Sequence, residues 1–270
     1  MQHVLPLRDR ASDFVRACGE PYCDLIIRDL LWAVADAYGS DATFVEAGAS
    51  LGDCAFWARA VHRMKAVLYE PVLEAAECVR ASVQANGWTD VLLHQGVVRG
   101  TRGTAALFVP GAALGHFAHA TTSPGGDSQP RKVPSMLLGD GVKASANGKF
   151  VVKIIAYNDT VPALQHMTLP HDRIIAYAVL LQTNYVVEAS AYLAAIWDIF
   201  ATLGPGFTVR VPELSAAVLS RSDFLALLPD LARTWTNAVA VRGDVALVER
   251  AARPGLPACR WGEGRGTVSV

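Results

Sequence analysis

Two acids, Glu46 and Glu70, stand where this sequence is best able to do chemistry. Glu46 lies in Thr43-Phe44-Val45-Glu46-Ala47-Gly48-Ala49-Ser50-Leu51-Gly52-Asp53, which reads as a buried strand, a small-residue turn and a helix start. Glu70 closes the next apolar run, Lys65-Ala66-Val67-Leu68-Tyr69-Glu70-Pro71. Two strands joined by a helix bring such acids to neighbouring strand tips. The glycines between them let backbone approach a ligand, and a carboxylate on the second tip accepts hydrogen bonds from ribose hydroxyls.

The glycine spacing narrows the ligand. Dinucleotide folds favour G-x-G-x-x-G, because a diphosphate lies against the helix N-terminus. Here the pattern is Gly48-x-x-x-Gly52, Ser50 occupies the middle position, and Glu46 precedes the turn. An acid beside a small-residue turn suits S-adenosylmethionine, which has an ammonium and a carboxylate but no phosphate. The plainer alternative is a strand-to-helix turn that simply needs glycine. Gly48-x-Ser50-x-Gly52 also spells a nucleophile elbow. That reading leaves Glu46 and Glu70 unexplained and puts the serine on the first core strand, where an elbow is unusual.

These motifs resemble the S-adenosylmethionine-dependent methyltransferases of the FkbM type. Val45 to Asp53 is similar to that family's first motif and Tyr69-Glu70-Pro71 to its second. The similarity extends through Ser82–Gly87, Val91–Val98, Val133–Leu138 and Asn237–Arg242. The resemblance implies that Glu46, Gly48, Ala49 and Gly52 line the methionine end. It also implies that Glu70 holds the ribose and that Gln95 and Gly96 lie beside the adenine. The expected activity is methyl transfer to a hydroxyl of a small molecule or sugar. At the fourth strand the family's Lys-Ile-Asp-x-Glu-Gly run is matched by Lys153-Ile154-Ile155-Ala156-Tyr157-Asn158-Asp159. Lys153 is kept, Ile155 replaces the aspartate, and Tyr157, Asn158 and Asp159 become the acceptor-facing candidates. Ile155 cannot accept a proton, which leaves open a catalytically silent relative with a binding or regulatory role. Alignment of nucleophile and sulfonium can carry much of a methyl transfer without a strong base.

Other candidates are weaker. His116 and His119 form H-x-x-H in a long Gly/Pro-rich stretch, but no further metal ligand is fixed. His94 is expected near the adenine pocket, and His166 and His171 at the surface. Five cysteines, Cys18, Cys23, Cys54, Cys78 and Cys259, lack C-x-x-C spacing and read as reduced thiols of a cytoplasmic protein. The N-terminus has no apolar signal core. A formal charge of −1 gives no footprint for nucleic acid. The most apolar region, residues 174–200, holds Gln182, Asn184, Glu188 and Asp198, so no membrane span is expected.

The elements needed to position these residues alternate. Strands are expected at Thr43–Ala47, Lys65–Glu70, Asp90–Val98, Thr104–Val109, Phe150–Ile155, within Arg173–Val187, at Phe207–Val211 and at Asn237–Val241. Helices are expected within Asp13–Tyr38 and at Leu51–His62, Val72–Asn86, Ser135–Leu138, Val161–Met167, Glu188–Leu203 and Ser222–Arg233, the last capped by Ser220 or Ser222. Pro110–Pro134 reads as a long loop. The fold class is α/β, a Rossmann-like, mostly parallel sheet with helices on both faces. The expected division is an N-terminal helical segment over 1–42, the Rossmann domain over 43–250 and a loose tail over 251–270.

Overall fold

A computed structural model describes residues 23–108, 130–142, 148–183, 186, 188–215, 217–232, 236–245, 260–261 and 268–269. The main sheet has seven strands: β1 (Ala42–Ala47), β2 (Lys65–Glu70), β3 (Val91–Gln95), β7 (Lys149–Ile154), β8 (Ile174–Leu181), β9 (Thr208–Arg210) and β10 (Thr236–Val241). Their order is β3-β2-β1-β7-β8-β10-β9. The first five are parallel, and β10 runs antiparallel to both β8 and β9. Strand order therefore reverses between β1 and β7, and in such sheets the crevice for a ligand opens at the carboxyl ends there.

Local sequence explains the layers. The strands β1, β7 and β8 are buried along nearly their whole length, as apolar runs in a parallel sheet must be when helices cover both faces. One face is covered by α1 (Leu25–Tyr38) and α2 (Asp53–His62), whose Ile27, Leu30, Leu31, Val34, Ala55 and Phe56 pack on Phe44, Val151 and Val239. The helix α3 (Leu73–Ala85) joins β2 to β3. The opposite face carries α4 (Thr160–Gln165) and α5 (Ala189–Ala201), with Leu164, Leu193, Ile196 and Phe200 against Val152, Tyr177 and Val179. Two short helices, α6 (Arg221–Ala226) and α7 (Leu228–Leu231), complete that side. Ser220 caps α6 in a capping box with Asp223.

A second sheet departs from the sequence reading. The run expected as one strand over Asp90–Val98 breaks at Gly96 into β3 and the two-residue β4 (Val97–Val98). The chain leaves the main sheet at that point. The strands β5 (Gly103–Phe108) and β6 (Pro130–Met136) join β4 in a small three-stranded sheet rather than widening the main one. The last residues of the expected Pro110–Pro134 loop belong to β6, and the helix expected at Ser135–Leu138 is the end of β6 and a turn. The alternately buried Val133 and Ser135 belong to a strand because β5 and β4 flank it, a partnering that local sequence does not show. The remainder of that loop, with His116 and His119, lies outside the described residues. The expected helix over Ser222–Arg233 is broken into α6 and α7. Of the expected tail, only β11 (Arg260–Trp261) and β12 (Val268–Ser269) are described, and they pair antiparallel.

One expectation about the cysteines is overturned. Cys23 and Cys54 form a disulfide, with Cα atoms 4.8 Å apart, and Cys78 is not disulfide-bonded. The pairing joins a residue two positions before α1 to the first turn of α2. It carries no spacing signature because packing of two helices, not proximity in sequence, brings the sulfurs together. Cys18 and Cys259 lie outside the described residues. Among the described residues no helix is long and apolar enough to cross a membrane.

Candidate functional site

The turn between β1 and α2 sits at the point where strand order reverses. Gly48 (φ +75°), Ser50 (φ +50°) and Gly52 (φ +77°) all adopt left-handed backbone. Glycine tolerates this without strain, whereas serine does so at a cost. The N–H groups of Gly48 and Ala49 both donate to the carbonyl of Tyr69 on β2, at 3.0 and 3.1 Å, and tie the turn to the neighbouring strand. The Ala49 side chain is buried in the core beneath α1 and α2, so Ala49 can meet a ligand only through its backbone. Gly52 is the N-cap of α2.

Glu70 ends β2 beside this turn. Its Oε2 accepts the Ser50 N–H at 2.6 Å and its Oε1 the Val72 N–H at 2.8 Å. The residue is only 3% exposed. The small sheet closes over this corner: Leu51 and Val72 pack with Val97, Ala105, Leu107 and Val133. Burial pushes the Glu70 carboxyl up to about 8, against the two N–H donors that hold it down and with the Glu46 charge adding to the rise.

Glu46, one strand over, is committed differently. Its Oε1 accepts from Lys153 Nζ at 2.6 Å, and its Oε2 accepts the Ala55 N–H of α2 at 3.2 Å. Both partners of the ion pair are buried. The motif on β7 thus keeps its lysine for a strand-to-strand contact that the sequence did not reveal.

Gln95 and Gly96 lie at the tip of β3. Gln95 Oε1 accepts from Arg80 at 2.9 Å, and Gly96 packs against Pro134 and Met136 of β6. His94 stacks on Tyr69 with ring centroids 5.3 Å apart, and burial lowers its pKa. The three tips bearing Glu46, Glu70 and Gln95 are adjacent, as strand order requires.

Past β7 the chain makes a turn of 3-10 helix over Tyr157–Asp159. Tyr157 adopts left-handed backbone (φ +51°), a strained conformation for an aromatic residue. Asn158 is exposed. Asp159 is buried and accepts from Arg99 Nε at 2.9 Å. Burial raises its carboxyl while the guanidinium opposes the rise. The three residues therefore reach the carboxyl edge of the sheet in different states, and Asp159 is held there by Arg99. Arg99 is a residue that sequence reasoning missed, since an arginine in a loop has no spacing that marks its target. Ile155 itself presents backbone to the glycine turn: its N–H donates to the Ala47 carbonyl at 2.9 Å.

Ser50 Oγ has no hydrogen-bond partner among the described residues, so the nucleophile-elbow spelling comes without a base. No group of three or more described His, Cys, Asp or Glu side chains is arranged to hold a metal ion.

No protein-family model matches this sequence, and no curated protein matches it either. Solved structures similar to the chain include an rRNA methylase from Streptococcus thermophilus, at 10% identity over 81% of this chain and 97% of that one, with a TM-score of 0.46. A putative methyltransferase from Streptococcus mutans in complex with SAH is 8% identical over 82% of this chain and 99% of that one, with a TM-score of 0.44. A putative O-methyltransferase from Klebsiella pneumoniae is 11% identical over 86% and 87%, with a TM-score of 0.42.

Proposed function

We propose that this protein binds S-adenosylmethionine and transfers its methyl group to a hydroxyl of a small molecule or sugar. The observation that carries the reading is the Glu70 carboxylate beside the left-handed Gly48–Gly52 turn, at the carboxyl ends of strands flanking the reversal of strand order. The donor set fits such a cofactor. Each Glu70 oxygen accepts one N–H and keeps a lone pair for a ribose hydroxyl. A turn without bulky side chains leaves backbone amides near the amino-acid end.

When bound, S-adenosylmethionine supplies a methyl group on a sulfonium. The residues of this chain do the holding. Glu70 accepts from the ribose through the lone pairs that the Ser50 and Val72 N–H groups leave open. Backbone of Gly48 and Ala49 borders the methionine end, and Gln95 and Gly96 border the adenine. The turn bearing Tyr157, Asn158 and Asp159 faces the acceptor hydroxyl and orients its oxygen. Alignment of that oxygen with the methyl carbon is the main catalytic contribution asked of the site. The unit assigned to this activity runs over residues 43–250, with α1 lying against it.

Calorimetric titration with S-adenosylhomocysteine tests the binding step. Micromolar affinity is expected, and no heat with no thermal shift would sink the proposal. A methyl-release assay across sugar and small-molecule hydroxyls, with an RNA arm as contrast, tests the acceptor class.

A second reading is a silent relative that binds the cofactor and serves as a partner or regulator. The observation favouring it is Ile155 at the β7 tip, an apolar side chain where the resemblance expects an aspartate. Binding of S-adenosylhomocysteine without turnover of any acceptor would select this reading.

A further inference from the structure

Glu46 and Lys153 occupy paired register positions on the adjacent parallel strands β1 and β7. They meet on the sheet face that α1 and α2 cover, at 2.6 Å, with residue exposures of 1% and 6%. A buried ion pair needs further hydrogen bonds to hold both charges, and Glu46 has one in the Ala55 N–H. That amide belongs to the first turn of α2, whose N–H groups have no partner within the helix. The usual remedy is a capping side chain, but the N-cap here is Gly52, required by its left-handed backbone and lacking any side chain. Glu46 supplies the missing acceptor from the neighbouring strand. Both of its oxygens are thereby engaged within the protein.

We propose that Glu46 and Lys153 form a positioning pair for the cofactor turn, and that Glu46 does not itself receive the ammonium of the cofactor. Lys153 neutralises and orients Glu46, Glu46 fixes the start of α2, and together they set where residues 48–52 stand. The proposal rests on the cofactor-binding reading above. It reassigns Glu46 from a ligand contact, the role the resemblance implies, to an action through the backbone of the turn. The physical reason is charge. Glu46 is already matched by the buried ammonium of Lys153, so it gains little from a second ammonium and would have to release the first to bind it well.

Two ligands separate the alternatives. S-adenosylhomocysteine carries the amino-acid end, and 5′-methylthioadenosine has the same adenosyl thioether without it. Titrations would use the full chain and its Glu46→Gln, Lys153→Met and Glu46→Gln/Lys153→Met variants, with amide exchange of residues 48–56 measured on each ligand-free protein. A positioning role predicts that Glu46→Gln weakens both ligands by the same factor, tenfold or more. It also predicts faster exchange at Gly52 and Ala55. Lys153→Met should do the same, and the double variant, which buries no net charge, should recover affinity to within about threefold of the parent. Loss of S-adenosylhomocysteine affinity with 5′-methylthioadenosine unchanged would overturn the proposal, since only a direct ammonium contact behaves so. Unchanged exchange over 48–56 in Glu46→Gln would overturn it as well. Should a single variant fail to fold, exchange at Ala55 in the double variant decides. If the parent binds neither ligand, the cofactor reading fails, while the exchange result still decides whether the pair holds the turn.

Discussion

Gly48 and Ile155 touch so closely that a Cβ placed on the glycine would lie 2.4 Å from the Ile155 carbonyl oxygen. The tips of β1 and β7 meet at that contact, and the glycine's left-handed φ of +75° adds a second demand. Gly48→Ala should therefore strain the backbone and push β7 away, at about 2–5 kcal/mol together. Urea unfolding measures the loss. A near-neutral result would mean the strand tips separate freely.

Glu70 makes stability and binding depend on pH in opposite senses. Its carboxyl rises from 4.5 to about 8, so the folded protein keeps a proton that the unfolded chain releases above 4.5. The stabilisation from this group is complete below that value and is lost as pH rises through about 8. Melting temperatures across this range should show Glu70→Gln gaining on the parent as pH increases. Ribose hydroxyls donate to the ionised form, so S-adenosylhomocysteine affinity of the parent should rise over the same interval. Glu70→Gln should bind weakly at every pH.

The Cys23–Cys54 disulfide closes a loop with a sequence separation of 31. Constraint of the unfolded chain by such a loop is worth about 2–4 kcal/mol. Cys23→Ser should lower the unfolding free energy by that amount and expose one turn of α1 to amide exchange. Peptide mapping without reductant checks the bond directly: alkylation of both cysteines in the untreated protein would refute it.

Asp159 depends on Arg99. Replacing the arginine in Arg99→Leu leaves a buried carboxyl without its cation, an expected loss of about 1–2 kcal/mol after allowance for the partly exposed guanidinium. Burial already raises the Asp159 carboxyl, and removing Arg99 raises it further. The loss should therefore be small in acid, where Asp159 takes up a proton, and grow as pH increases. Chemical unfolding at two pH values reads this difference. In Arg99→Leu/Asp159→Asn the pH dependence should vanish.

Much of this protein was legible in its residues because the signals were local. Continuous apolar runs such as Phe150–Ile155 announced strands buried on both faces, and the alternation with helices announced a doubly wound sheet. Gly48 and Gly52 marked the turn after the first strand, and Glu70 was correctly placed at its strand tip. What sequence could not show depends on contacts across long separations. Lys153 meets Glu46 because two strands distant in sequence pair in one register, and no local pattern encodes a register between them. Arg99 finds Asp159, and Cys23 finds Cys54, through packing of elements that each look self-sufficient alone. The break at Gly96 followed the same rule, since only the partnership with β6 carries the chain into a second sheet. Periodicity thus determined which segments are strands and helices, by the area each must bury. Tertiary structure alone decided which charges pair, because a side chain's partner is set by the neighbour that packing supplies.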